Sequence, residues 1–309
     1  MKGPITTLAE LRYLSAVAKE RNFRSAAEKV FVSQPALSIA IAKLEEELGV
    51  QLFERGRRGV TLTAIGERVL VQANRVLEEA ARIKEIVAAG RDQLAGALRV
   101  GVIYTVGPYL LPDLIPALHR LAPLMPVEVE ENLTANLEER LCGGRLDAII
   151  VAAPFGAPGI TTRPLYEEPF VALVPIAHAW AKRSSVASAE LSDEKMLMLA
   201  SGHCFSDQIV ESCPELRALG DVQQGNSLET IRNMVASGLG ITVLPASATS
   251  RRYQMKLTRV VPFKRPPPVR RVVLAWRKGF ARARAIDAIA RAIAGLALPG
   301  VNVLVREKS

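Results

Sequence analysis

The feature that most limits what this chain can become is a helical stretch running from about Ala64 to Gln93. Val69, Val76, Ile83 and Ile86 recur along one apolar seam, and Leu70, Leu77 and Val87 widen it. Gln72 and Glu79 interrupt a stricter heptad, so the pattern is that of a broad seam rather than a strict two-stranded coiled coil. Thirty residues at 1.5 Å each would span about 45 Å. A helix of that length with a wide apolar face needs a partner, so the chain is expected to be at least a dimer. The stretch also divides the sequence. With 309 residues, more than one domain is expected, and the divisions fall at 1–63, a linker helix at 64–95, and 96–309.

In the first segment, Thr7-Leu8-Ala9-Glu10 has the form of a capping box, followed by Leu8, Leu11, Leu14 and Val17 or Ala18 at helical spacing. A short helix fits Ser25–Val30, whose Ala26 and Ala27 permit close packing. Phe31-Val32-Ser33 then turns the chain into a third helix, with Ser33 as N-cap and Pro35 in the first turn, where a missing N–H costs little. Leu37, Ile41, Leu44 and Leu48 form its apolar stripe, while Gln34 and Ser38 lie on another face, free to point outward. Two helices on a tight turn, the second presenting short polar groups at its start, make a helix-turn-helix. After it, Phe53 to Thr63 sets a Gly-flanked basic tip, with Arg55, Arg57 and Arg58, between short apolar runs, as in a wing hairpin. Arginines at such a tip suit phosphate or minor-groove contact.

Beyond Ala95-Gly96 the pattern changes. Strand-like runs at Leu98–Ile103, Val127–Val129, Leu146–Val151 and Ile241–Leu244 alternate with helical segments at Leu110–Leu121 and Thr230–Ser237. That alternation predicts an α/β domain with mostly parallel strands. The formal net charge of +9 points to a polyanionic partner. Its distribution is uneven: residues 251–309 carry 15 Lys/Arg against 2 Asp/Glu, whereas residues 96–250 are net acidic.

Ala26-Ala27, Ser33-Gln34-Pro35-Ala36-Leu37-Ser38, Leu44-Glu45, Leu48-Gly49, Leu52-Phe53-Glu54-Arg55 and Leu62-Thr63-Ala64-Ile65-Gly66-Glu67 together resemble the N-terminal domain of LysR-type transcription regulators. The resemblance implies a winged helix-turn-helix that binds double-stranded promoter DNA, a dimerising linker helix, and an effector domain folded like a periplasmic binding protein. That domain would have two α/β lobes, lobe I at about 96–168 and 272–309 and lobe II at about 169–271, with crossings near Glu168 and Arg271. The positions that match the family's base readers are Gln34, Pro35 and Ser38. An amide suits adenine, a hydroxyl donates or accepts, and a proline ring touches a thymine methyl. The family usually assembles as dimers or as tetramers of two dimers.

Gly202-His203-Cys204-Phe205-Ser206-Asp207-Gln208, followed by Cys213, is similar to the peroxide-sensing branch of that family. So are Thr105 to Pro112, the segment around Thr134, and Ser227 through Thr242. The resemblance implies a regulator of the oxidative-stress response, in which hydrogen peroxide oxidises Cys204 and Cys213 resolves it as a disulfide that a cellular thiol reductant reopens. It also implies that Thr105, Thr134, His203 and Asp207 hold the peroxide. Phe205, Ser206 and Tyr104 depart from the branch pattern, which more often has an aliphatic residue, arginine and proline there. The chemistry of the residues agrees: peroxide reacts with a thiolate, which a polar or cationic neighbour such as His203 favours, and a sulfenic acid condenses with an available thiol. If 204–213 were helical, the two sulfurs would sit roughly 13 Å apart along the axis, too far for a bridge without remodelling.

No metal or organic cofactor is expected, because His203, Cys204 and Cys213 are too few and too closely spaced for a tetrahedral zinc site. The chain lacks a peroxidase motif, so a regulator rather than an enzyme is expected; a small metabolite in the inter-lobe cleft is the alternative effector. Glu10, Arg12, Lys19 and Glu20 interrupt the N-terminal apolar residues, which argues against a secretory signal. No stretch reads as a membrane span. Three cysteines without an export signal fit a reducing compartment, and the cytoplasm is the expected address.

Overall fold

A computed structural model describes residues 6–56, 59–89, 92–200, 202–212 and 222–305. The chain forms two compact units, Met1–Ala88 and Ala89–Ser309.

The first unit begins with α1 (Leu8–Glu20), whose Thr7 N-cap and Glu10 complete the capping box in both directions. Helix α2 (Phe23–Lys29) starts earlier than the alanines alone predict, because Asn22 accepts hydrogen bonds from the backbone N–H groups of Arg24 and Ser25. Ser33 caps α3 (Gln34–Leu48) by accepting from Ala36 N at 3.3 Å. Leu14, Val17, Ala26, Leu37, Ile41, Leu44 and Leu52 are fully buried between these helices. Glu45 accepts from the backbone N–H groups of Leu52 and Phe53 at 2.7 and 3.0 Å, which ties α3 to the hairpin of β1 (Phe53–Gly56) and β2 (Gly59–Leu62).

Helix α4 (Ala64–Ala89) leaves the hairpin through a tight contact. Thr63 Oγ1 accepts from Gly66 N at 2.9 Å, and a Cβ on Gly66 would lie 2.2 Å from the Leu52 carbonyl oxygen, so only glycine fits there. The broad seam of α4 divides its work. Ala73 is buried, and Val69, Leu70 and Leu77 pack on the core of the first unit, while Val76 and Ile83 on the flank of the same stripe stay exposed. Ile86 and Val87 have side chains outside the described set.

The second unit is built on one large sheet in the order β10-β6-β11-β5-β3-β4, with β9 and β12 also paired to β6. Its strands are β3 (Leu98–Ile103), β4 (Val127–Asn132), β5 (Ala148–Ala152), β6 (Ile160–Pro175), β9 (Thr242–Pro245), β10 (Thr258–Pro262), β11 (Val269–Arg277) and β12 (Asn302–Val303). A small parallel pair, β7 (Leu197–Leu199) and β8 (Gln223–Gly225), lies apart. Strand–helix alternation predicts mostly parallel pairing, but the large sheet is mixed. Parallel pairing within it is confined to β3 with β4 and β5, and β6 pairs antiparallel with β9, β10, β11 and β12. The reason is connectivity. The chain passes from one lobe to the other along β6 and returns along β11, so the two run in opposite directions side by side.

Each lobe buries its own core. Leu165 and Tyr166 of β6 and Val272–Ala275 of β11 join the core of lobe I, with α5 (Gly107–Leu121), α6 (Thr134–Cys142) and α9 (Ala283–Ala294). Phe170–Val174 of the same β6 join the core of lobe II, with α7 (Cys204–Ser212) and α8 (Leu228–Ala236). At the crossing, Glu168 and Arg270 face each other across the strands with side chains 0% and 1% exposed. Among the described residues no helix is long and apolar enough to cross a membrane.

Candidate functional site

Four of the five side chains expected at a peroxide site line one small cavity. Thr105 follows β3, Thr134 opens α6, and His203 and Cys204 open α7; Ile103, Leu133 and Phe205 supply apolar wall. The cavity's volume is ≈ 10 Å³, about what one water molecule requires. Asp207 is not among the lining residues; it is exposed in the first turn of α7, where its charge complements the helix dipole.

Cys204 is half-buried at the first position of α7. Thr134 Oγ1 donates to its sulfur at 3.4 Å. Although α7 belongs to lobe II through Phe205 and Ile209, Cys204 packs against the core of lobe I. Gln208 of the same helix donates to the carbonyl of Ala153, again in lobe I. The start of α7 is therefore a seam between lobes. Cys213 lies outside the described residues.

Thr105 is buried and held by Arg270, whose Nη1 donates to Thr105 Oγ1 and whose Nη2 donates to Thr105 O, both at 2.9 Å. A guanidinium only donates, so the hydroxyl oxygen accepts there and its hydrogen is left for another acceptor. Arg270 is fixed in turn by Glu168, and its guanidinium stacks 5.2 Å from the Phe205 ring centroid. Sequence reasoning missed Arg270; its one signal is a charge at a position whose alternation with exposed Val269 and Arg271 turns it inward. Burial lowers the proton affinity of His203 below the ordinary histidine range. Of the polar or cationic neighbour expected beside the thiol, burial therefore favours the uncharged, polar form. Phe205, an unexpected residue at its position, is fully buried edge-on to Phe170, and Ser206 Oγ donates to the Leu199 carbonyl at 2.9 Å.

A larger cleft of ≈ 450 Å³ adjoins this cavity and includes Tyr109, Glu131, Ser227 and Glu229 in its walls. Tyr109 OH donates to Glu229 Oε1 at 3.0 Å across the lobes, and Tyr253 OH donates to the Pro108 carbonyl at 2.6 Å. Burial raises the Glu131 carboxyl above the usual carboxylate range. Among the described residues no group of three or more His, Cys, Asp or Glu side chains suits a metal ion.

In the first unit, Gln34 and Pro35 are exposed and Ser38 half-exposed at the start of α3. Gln34 Nε2 donates to Ser38 Oγ at 3.3 Å, so the two groups share one face. The register of the hairpin pairs Gly56 with Gly59. Arg57 and Arg58 lie outside the described residues, as does the side chain of Arg55.

A capped helix-turn-helix with a hairpin wing, a long helix, and a two-lobed α/β domain define a class of bacterial regulator. The chain belongs to the LysR family: residues 8–67 match the bacterial regulatory helix-turn-helix protein of the lysR family, and residues 91–297 match the LysR substrate binding domain. Within that family it is similar to the DNA-binding transcriptional dual regulator OxyR of Escherichia coli, with 40% identity over 93% of this chain and 94% of the relative. Full-length OxyR of Pseudomonas aeruginosa, solved as a cysteine-to-aspartate variant, shares 48% identity over 94% of this chain and 99% of its own, with a TM-score of 0.67. A cysteine-to-serine variant of Corynebacterium glutamicum OxyR, solved with hydrogen peroxide bound, shares 33% identity over 93% and 91% of the two chains, with a TM-score of 0.64.

Proposed function

We propose that this chain is a peroxide-responsive transcription regulator in which Cys204 is the reacting thiol. The observation that carries the reading is the sulfur itself: it opens a helix, accepts a hydrogen bond from Thr134, and borders a cavity about as large as one water molecule requires. The relative solved with hydrogen peroxide bound supports the same ligand. The thiolate sulfur attacks one peroxide oxygen, forming an S–O bond as the O–O bond breaks. The departing hydroxide takes a proton and leaves as water, so the sulfur loses two electrons to the peroxide. Thr105 and Thr134 orient the oxidant through hydroxyl groups, and neutral His203 supplies a further polar contact. Asp207 acts from the helix start rather than from within the cavity.

The Cys213 thiolate then attacks the sulfenic sulfur, forming the S–S bond as the S–O bond breaks, and the departing hydroxide takes a proton and leaves as water. Helix α7 stands in the way of this step. The eight steps from Cys204 to Ser212, at 1.5 Å each, separate their Cα atoms by about 12 Å. The next Cα lies within 3.8 Å of Ser212, so with α7 intact a residue at 213 stays at least about 8 Å from Cys204. A disulfide tolerates about 7 Å at most. Oxidation thus requires α7 to unwind, withdrawing Cys204 and Gln208 from lobe I and loosening the seam.

The readout is through DNA. Gln34, Pro35 and Ser38 read base edges, and Arg55, Arg57 and Arg58 grip phosphates. The exposed flank of α4 pairs with a second copy, and a cellular thiol reductant resets the switch in the cytoplasm. Mass spectrometry after stoichiometric hydrogen peroxide, paired with footprinting on promoter DNA, tests the reading. A Cys204–Cys213 bridge and an altered footprint are expected, both lost in Cys204→Ser. A Cys204→Ser protein that keeps its response to its inducer would overturn the reading and move the effector to the larger cleft.

A further inference from the structure

We infer that Tyr104 is a specificity residue: its ring, resting on His203, limits the size of the hydroperoxide that reaches Cys204. The inference rests on Cys204 being the reacting thiol. The small cavity at the sulfur and the ≈ 450 Å³ cleft share Tyr104, Thr105, Asn132, Leu133 and His203, so these five residues are the wall between them. The cleft is large enough for a molecule of many heavy atoms, so it does not select a diatomic-core oxidant by size. Selection falls to the wall.

Most of that wall is fixed. Arg270 clamps both the hydroxyl and the carbonyl of Thr105. Asn132 Oδ1 accepts from Leu133 N at 2.9 Å and from Asn136 Nδ2 at 2.7 Å, and so holds Asn132 and Leu133 at the start of α6. Tyr104 is different. It is 41% exposed, and among the described residues its hydroxyl has no hydrogen-bond partner. What positions it is the His203 ring, 5.9 Å away between centroids and tilted by 57°. That separation is an aromatic contact, closing the gap between the end of β3 in lobe I and the start of α7 in lobe II. His203 follows Gly202, whose φ of +98° suits only a residue without a side chain, so the loop carrying the second ring is held by a glycine-specific turn.

The chemistry makes the consequence specific. With any hydroperoxide ROOH, the thiolate sulfur bonds to the terminal oxygen, the O–O bond breaks, and the alkoxide takes a proton to leave as ROH. When R is hydrogen, the leaving group is no larger than the cavity. When R is tert-butyl, the carbon substituent is larger than the cavity and presses on the wall to which the Tyr104 ring belongs. One methylene of misfit in a shaped pocket changes a rate by about 10–200-fold.

The experiment measures Cys204 oxidation in the reduced full-length protein by rapid quenching, alkylation and mass spectrometry, with hydrogen peroxide and tert-butyl hydroperoxide as separate oxidants. In Tyr104→Ala the tert-butyl hydroperoxide rate should rise at least about 10-fold relative to the hydrogen peroxide rate. Tyr104→Phe should keep the wild-type ratio, because the ring and not the hydroxyl forms the barrier. Tyr104→Val provides a second truncation, and promoter binding by each reduced variant verifies folding. An unchanged ratio in both truncations would overturn the inference, as would rates for both oxidants that fall together. A wild-type protein whose Cys204 ignores hydrogen peroxide would remove the underlying reading as well.

Discussion

Replacing Glu168 by methionine should be among the most damaging single changes in the second unit. Its Oε1 accepts from Arg270 Nε at 2.8 Å and lies 2.7 Å from Arg270 Nη2 in an ion pair, while its Oε2 accepts from Ser247 N at 3.1 Å. Glu168→Met leaves the guanidinium buried beneath two lobes with no counter-charge, and removing one partner of such a pair costs about 3–5 kcal/mol. In a unit of this size each kcal/mol moves a melting midpoint by about 2–4 °C, so a drop on the order of 10 °C is expected. The double change Glu168→Met with Arg270→Met removes the stranded charge. What stays unpaired is neutral, chiefly Ser247 N and Thr105 O, at about 1–3 kcal/mol for each such group. The double variant should therefore melt higher than Glu168→Met alone. Trp180 and Trp276, the chain's two tryptophans, both lie in this unit, so tryptophan fluorescence during heating reports it selectively. A Glu168→Met midpoint within about 2 °C of wild type, or a double variant melting below it, would refute the reasoning.

Neutralising Arg57 and Arg58 should weaken binding to every DNA sequence and flatten its salt dependence, whereas Gln34→Ala should mainly relax discrimination among sequences; titrations at several salt concentrations separate the two. Glutamate at Val76 and Ile83, which are 38% and 63% exposed on α4, should yield smaller species in sedimentation, and an unchanged assembly would argue against that face. Cys213→Ser should leave Cys204 oxidisable but trapped as sulfenic or higher acids, detectable by mass. Because burial lowers the His203 pKa below its unfolded value, the folded state binds fewer protons. Stability should then decline as pH falls below about 6.5 and level off beneath the folded pKa; urea titrations of His203→Gln should show that part of the slope removed.

The helices of the first unit were the elements most legible in the sequence. Thr7, Asn22 and Ser33 satisfy helix-end donors within three residues of themselves, and Leu37, Ile41 and Leu44 share a face through a repeat that any helix imposes. Such signals need no tertiary information, so α1, α3 and the turn between α2 and α3 were legible from local spacing. The start of α2 was less so, because Asn22 rather than the alanines decides it. The thiol motif was equally visible, since Gly202 to Gln208 is one contiguous run.

Only the tertiary structure decided what that motif touches. Thr134 meets Cys204 across 70 residues of chain, and Arg270 meets Thr105 across 165. No periodicity encodes such a meeting, because it depends on how two lobes close around β6 and β11. Folding likewise separated Asp207 from its neighbours in the motif: it is exposed in the first turn of α7, while Cys204 packs against the core of lobe I. It also made the sheet mixed, since opposite crossings force β6 and β11 antiparallel. And it disfavoured the charged form of His203, because desolvation is set by everything packed around a group and not by the residues beside it in sequence.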